Sequence, residues 1–359
     1  MFSKKRLNNE EREIMNEEKL KEMMSRWLTK EEVKECVDYL KTQGKTVYSI
    51  SRLNSYHTCK YGYHLVYHLH ERGENNVYAI LGGIIHDYLQ NVHENNMTMK
   101  EIAEKYPQDI EFNTLFTPFP SENIGNSWIS DMTNFINNFK GLPYNHENIK
   151  CEQGFIIEIT EGVFLQGYID ILIEDNNDFI VMDWKTSSEF KGEHLIEAGR
   201  QLLLYSMAVK KITGKYPKQI CWIMLKYYNL TDLNTGKTTQ VNRGSWVKKI
   251  SGKITTQLKK MGMYDEMLLD VAIRQNDISL LPKEIQDRYK LEDCYVYYDI
   301  TKENMEELYD YLVGTITEIE SRDKDNTMLW QPSRKSADFF CQNLCSNYCR
   351  CFGKDMEEN

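Results

Sequence analysis

The chain has 359 residues, 41% of them apolar and 12% aromatic, with a net charge of -10. That length suits one sizeable core with additions. The acidic balance argues against a general nucleic-acid coat, so any such contact needs a local basic surface. No apolar run approaches the ~20 residues that span a bilayer. Met1 to Glu11 is charged and lacks an apolar signal core, so the expected location is cytoplasmic. In a reducing compartment the nine cysteines read as metal ligands or buried thiols, not disulfides.

In chain order, residues 5–44 read as charged helices, with a capping box at Thr29 and Glu32 and a stop at Gly44. A second helix is expected over 51–69 and carries Cys59. A third contains Leu81-Gly82-Gly83-Ile84-Ile85-His86 and runs through Leu89. Residues 106–150 are rich in Pro, Asn and Phe and read as a loop followed by a helix covering the core.

From residue 152 the period changes. Phe155, Ile157 and Ile159 alternate with other residues, as do Val163, Leu165, Gly167, Ile169 and Ile171. Glu161-Gly162 and Asn176-Asn177-Asp178 mark turns, and Phe179 to Trp184 is a short apolar run. These predict a three-stranded antiparallel meander. A helix from His194 to Ile212, closed by Gly214, and an apolar strand Ile220–Leu225 complete an α/β core. Residues 294–300 suggest a further strand, and 302–321 an amphipathic helix.

Asp183 and Lys185 are two apart on a strand and share a face. Asp170, on the strand before, lies ~4.8 Å away in the pairing direction. Carboxylates in that arrangement hold a hard cation such as Mg2+ or Mn2+, and a neighbouring lysine stabilises developing negative charge. A lone Asp-x-Lys is commonly a surface pair; the order and placement on strand ends give this one its specificity.

Gly167-Tyr168-Ile169-Asp170, then Asp183-Trp184-Lys185-Thr186, then Gln201 and Tyr205, resemble the PD-(D/E)xK nucleases, in particular the RecB-like branch. The Gly-Gly-x-x-His element ending at His86 is similar to that branch's helical histidine. The resemblance implies a restriction-endonuclease-like α/β core, a central mixed sheet flanked by helices, with helical additions. It implies metal ligation by His86, Asp170, Asp183 and the Trp184 carbonyl, with Lys185 catalytic. Gln201 and Tyr205 form the family's helix motif, and Glu152 supports the site, in a second metal position. The implied activity is metal-dependent DNA hydrolysis, as an exonuclease on single-stranded or frayed ends. A non-catalytic DNA-binding or assembly subunit of a helicase–nuclease complex is the alternative.

Cys341, Cys345, Cys349 and Cys351 crowd the last twenty residues. Some RecB-like nucleases, including AddB-type and CRISPR-adaptation exonucleases, clip the domain ends together with a [4Fe–4S] cluster. The resemblance assigns Cys59, Cys341, Cys345 and Cys351 to it, with Cys349 as an alternative ligand. Here three residues, not the family's two, separate the first two downstream cysteines, and a structural Zn2+ site remains the alternative. Cys36, Cys151, Cys221 and Cys294 read as buried small hydrophobes.

Asp232 and Asp265 bracket a stretch without acidic residues. Within it, residues 245–261 predict an amphipathic helix with Ile250, Ile254, Leu258 and Met261 on one side. Lys249, Lys253 and Lys260 lie on another, as candidate phosphate contacts or as a solvated face. The expected organisation is a helical segment 1–48, a nuclease core 49–228 with a helical cover at 87–150, a basic insertion 229–292, and a completing segment 293–359. No G-x-x-x-x-G-K-[ST] loop occurs, so a helicase or recombination motor would be a separate partner. The Lys- and Asn-rich composition suits a phage or a low-GC bacterium.

Overall fold

The computed structural model describes residues 15–335 and 338–352; the expected helix over 5–14 lies outside them. Helix α1 (Glu17–Met23) precedes α2 (Lys30–Thr42), whose start carries the reciprocal Thr29–Glu32 capping box. Strand β1 (Val47–Tyr48) follows. The single helix expected over 51–69 is two: α3 (Ile50–Thr58) and α4 (Lys60–Tyr67). The break is Cys59, in extended conformation (φ -160°, ψ 111°), whose sulfur caps α4 by accepting from the Gly62 N–H at 3.5 Å.

Helix α5 (Val77–His93) starts on an Asn76 cap. The expected loop beginning at 106 is corrected. Helix α6 (Met99–Phe116) runs through Pro107, and α7 (Glu122–Asn138) follows after a short turn. An interior proline removes one backbone bond and costs about 3 kcal/mol. A Thr98–Glu101 capping box and the buried stripe Ile102, Tyr106, Ile110 offset it.

The meander forms as β2 (Ile149–Thr160), β3 (Val163–Asp175) and β4 (Asp178–Lys185). Helix α8 (Glu193–Thr213), ended by left-handed Gly214, leads to β5 (Gln219–Asp232), parallel to β4. This strand is longer than the expected 220–225, and it pairs past Met224 with β6 (Lys237–Asn242). Helices α9 (Trp246–Lys260), α10 (Glu266–Gln275) and α11 (Lys283–Gln286) precede β7 (Tyr289–Tyr298), which starts before the expected 294. Helices α12 (Lys302–Ser321), α13 (Phe339–Asn343) and α14 (Tyr348–Phe352) close the described chain. Among the described residues no helix is long and apolar enough to cross a membrane.

The result is a mixed seven-stranded sheet flanked by helices, ordered β1-β3-β4-β5-β6, with β2 beside β3 and β7 beside β5. A strand has two edges. Because β2 follows β3 along nearly its whole length, β1 and β4 share the other edge, β1 at Phe164–Leu165 and β4 at Ile171–Asp175. Likewise β7 follows β5 on one edge, while β4 (to Met224) and β6 (from Tyr227) divide the other. The sheet therefore forks where β4 ends.

One core packs α3, α8 and α12 on Leu165, Ile169, Val181 and Trp222; a second packs α5, α6 and α7 on Ile171, Met182, Trp184 and Ile223. Two further clusters lie under α9–α11 and under α1–α2. Side-chain alternation changes phase near the fork. Ile169 faces the first core and Ile171 the second. On β2, Phe155 and Ile157 face the first while Ile149 and Cys151 join the second. Glu152, in left-handed backbone (φ 51°), sits at that change, a conformation that costs a non-glycine about 1–2 kcal/mol.

Candidate active site

The fork gathers the carboxylates. Pairing of β3 with β4 runs Leu172–Val181 and Ile171–Met182; one further step sets Asp170 opposite Asp183. The Trp184 backbone N–H donates to Asp170 Oδ2 at 3.1 Å, which fixes Asp170 against the end of β4. Across β3 on its other edge, Glu152 lies opposite Asp170, between the pairs Cys151–Ile171 and Gln153–Ile169. Its carboxylate meets Lys30 of α2 at 3.3 Å.

The two helical layers each send groups to this point. From α8, on the first core, Gln201 accepts from Lys185 Nζ at 3.0 Å and donates to Tyr205 Oη at 2.7 Å. Lys185 also ion-pairs with Asp183. From α5, on the second core, His86 Nδ1 lies 3.4 Å from Asp170 Oδ2. Gly82 allows this approach, since a Cβ there would stand 3.1 Å from Thr186 Oγ1. The indole of Trp184 anchors β4 in the second core, stacked 6.1 Å from His93.

Burial dominates the electrostatics. It pushes Asp170 well above the usual carboxylate range, with Asp183 adding repulsion and Lys185 opposing. It lowers His86, favouring the neutral ring that can coordinate a cation. Tyr205 is held well above the ordinary phenol value by burial and then by Asp170 and Asp183, so it remains a neutral donor.

Asp183 is the telling residue. Its side chain is 1% exposed; Oδ2 meets only the Lys185 ammonium, and Oδ1 has no partner among the described residues. A buried carboxylate oxygen without a donor is costly unless a further cation meets it. As the side chains stand, Asp183 is turned to Lys185, and among the described residues no three His, Cys, Asp or Glu are grouped to hold a metal ion. The set of His86, Asp170, Asp183 and the Trp184 carbonyl nevertheless fits a divalent cation in donor type and in its unsatisfied oxygen.

A second assembly lies beyond α5. Cys59, Cys341, Cys345 and Cys351 line one cavity, and all are free thiols. Burial raises the downstream three, Cys351 to about 11, and the thiols oppose one another's ionisation. Exposed Cys349 is not among the lining residues. The tail is tied in by Lys60 N–H to Ser333 Oγ at 3.2 Å, Arg334 Nε to the Thr58 carbonyl at 3.2 Å and Asn76 Nδ2 to the Leu344 carbonyl at 2.9 Å. Cys36, Cys221 and Cys294 are buried as expected, whereas Cys151 is only partly so.

Lys249, Lys253 and Lys260 lie on the exposed side of α9, and Ile250, Ile254 and Leu258 are buried. None of the three lysines forms an ion pair among the described residues. The helix packs in the third core, past the fork, so these lysines do not join the carboxylate group. Sequence pattern did not single out Lys226, Ser187 and Ser188, which with Thr186 of the strand-end motif line a groove beside the site. A lone lysine directly after the apolar run Ile220–Leu225 was the available signal.

Residues 47–351 match the PD-(D/E)XK nuclease superfamily. A stretch of 132 residues, 35% of the chain, is 31% identical to the RecBCD enzyme subunit RecB of Chlamydia muridarum and spans 12% of that protein. Another of 63 residues, 17% of the chain, is 38% identical to an ATP-dependent helicase/nuclease subunit of Carboxydothermus hydrogenoformans, of which it spans 5%. The chain thus matches only a small part of each relative's length. With the carboxylates, the lysine and the helix motif meeting at the sheet fork, and the match covering most of the sequence, this chain belongs to the PD-(D/E)XK nuclease superfamily.

Proposed function

We propose that this protein is a metal-dependent deoxyribonuclease that hydrolyses phosphodiester bonds from single-stranded or frayed DNA ends. The observation that carries the reading is Asp183, buried opposite Asp170, with one oxygen meeting only the Lys185 ammonium and the other without a partner among the described residues. His86, Asp170, Asp183 and the Trp184 carbonyl would hold Mg2+ or Mn2+, which when bound polarises the phosphoryl oxygen and acidifies water. The histidine tilts the preference to Mn2+. Lys185 supplies a charge-assisted donor to the transferring phosphate, and Gln201 with Tyr205 fixes its direction. Glu152 faces the same point and suits a second ion.

Cys59, Cys341, Cys345 and Cys351 would hold a [4Fe–4S] cluster, or Zn2+ in the alternative. Its role would be to join distant segments, and no step of hydrolysis runs through it. The exposed lysines of α9 would meet DNA phosphates, so binding should weaken with salt. One relative's name joins a nuclease to an ATP-dependent helicase, and on that likeness this chain would act beside a separate helicase in DNA recombination or repair.

The test is incubation of anaerobically purified protein and Lys185→Ala with end-labelled single- and double-stranded DNA, with Mn2+, Mg2+ or EDTA. Metal-dependent cleavage by the wild type alone is expected, with a ladder growing from one end. A folded, metal-loaded protein that cleaves nothing would instead identify a DNA-binding or assembly role.

A further inference from the structure

A groove is lined by Thr186, Ser187 and Ser188, the three residues that follow Lys185 in the chain. It encloses about 820 Å³. Its walls combine aromatic rings, hydroxyls and one cation. Tyr78 comes from α5, and Phe339 and Phe340 from the cysteine-bearing tail; Phe339 is 54% exposed although it is wholly apolar. Phe340 also lines the cysteine cavity, so one ring separates the two.

Lys226 is the cation. It is partly buried, and its ammonium makes no hydrogen bond or ion pair among the described residues. Asp131 is the nearby counter-charge, but both its oxygens are engaged, by Asn242 Nδ2 at 2.9 Å and the Gly244 N–H at 2.8 Å. Burial correspondingly lowers the Lys226 pKa. An ammonium so placed lacks a partner that an anion in the groove would supply.

We infer that this groove is the track for a single DNA strand with unpaired bases, the aromatic rings stacking on bases while Lys226 and the Ser187 and Ser188 hydroxyls receive a phosphate. The inference rests on the hydrolytic reading of the neighbouring carboxylate–lysine group for its choice of ligand. Aromatic stacking with cationic backbone contact is the general means of holding single strands. A duplex would hide the base faces that these rings could meet.

The experiment measures binding of the full chain to fluorescent short oligothymidylate, and to the same backbone with contiguous abasic positions, without divalent cations. The wild type should prefer the base-bearing strand by ~10-fold. Tyr78→Leu and Phe340→Leu should lose most of that preference. Phe339→Leu, at an exposed position, gives the same readout should Phe340→Leu disturb the tail. Lys226→Gln should weaken both probes alike and lower the salt slope by about 0.7. Equal wild-type affinity for the two strands, or Leu variants that retain the preference, would overturn the inference. Because cleavage is not read, a base preference without nuclease activity leaves the groove standing and removes only the hydrolytic reading. Cleavage without base preference does the reverse.

Discussion

The sheet fork and the cysteine cavity both unite residues far apart in sequence, but by different means. At the fork, positions are set by backbone register: Asp170 faces Asp183 because β3 and β4 pair one step earlier, and Trp184 N–H holds Asp170 directly. At the cavity, short helices and a tail are positioned by a few side-chain contacts and one helix break. A site on a sheet keeps its geometry while its charges go unsatisfied. A site on a tail depends on whatever its ligands hold. The fork should therefore lose function without losing fold, and the cavity the reverse.

The largest expected effect separates these at the fork. Asp170→Asn should lower cleavage by at least roughly 10²–10³-fold, the scale of losing one preorganised electrostatic group. It should also raise the melting temperature in EDTA. The folded-state pKa of Asp170 is raised by burial and by Asp183. Its contribution to stability is therefore greatest below the unfolded value and is lost as pH rises through the folded one. The stability gap between variant and wild type should accordingly widen from acid toward neutral pH. Added Mn2+ should stabilise only the wild type. A variant less stable than wild type in EDTA at neutral pH would show that register alone does not hold the fork.

At the cavity, Cys345→Ser should release bound iron or zinc and expose the tail to proteolysis. A covalent link closing a loop from Cys59 to Cys345 would contribute about 5–6 kcal/mol by chain entropy, which serves as a ceiling. Denaturant unfolding should register part of that. An unchanged midpoint with no metal lost would place the stability of this region in its packing alone.

The difference also explains what could be read from sequence. Asp183 and Lys185 were legible because a strand has period two; Gln201 and Tyr205 were legible only through the family resemblance, whose helix motif sets them four apart on one face. The break at Cys59 was not legible: the residues around it have ordinary helical composition, and what meets the backbone there is the thiol's capping contact and the distant tail's bonds to Thr58 and Lys60. Pro107 misled in the opposite direction, since burial of Tyr106 and Ile110 outweighs its local cost. The phase change at Glu152 depends on two strands inverting together. No single-strand pattern records that, and the fork at β5 depends likewise on pairing with β6 and β7.

Packing of the tail can be tested apart from its thiols. Trp330 is 1% exposed, lies 4.8–6.2 Å by ring centroids from Tyr56, Tyr63, His64 and His68, and donates through Nε1 to the Asp323 carbonyl. Trp330→Ala should cost about 3–5 kcal/mol, alike in metal-loaded and metal-free protein. A cost that appears only in one state would mean that the cavity and the tail are a single unit.

The smallest effect concerns the contact that binds α12 to the same helices. Glu318 accepts from Tyr56 Oη at 2.6 Å, Lys60 Nζ at 2.8 Å and Arg322 at 2.7 Å. These bonds, led by that from Lys60, hold its pKa down to about 2 against an ordinary 4.5. A depressed carboxylate stabilises fully above the unfolded value and progressively less as pH falls toward the folded one. Glu318 is 40% exposed, so Glu318→Gln should cost only about 1 kcal/mol or less at neutral pH. Melting curves of variant and wild type should converge between pH 4.5 and about 2. A constant gap across that range would assign the cost to lost packing or hydrogen-bond geometry in place of charge, and α12 would then join α3 and α4 by shape alone.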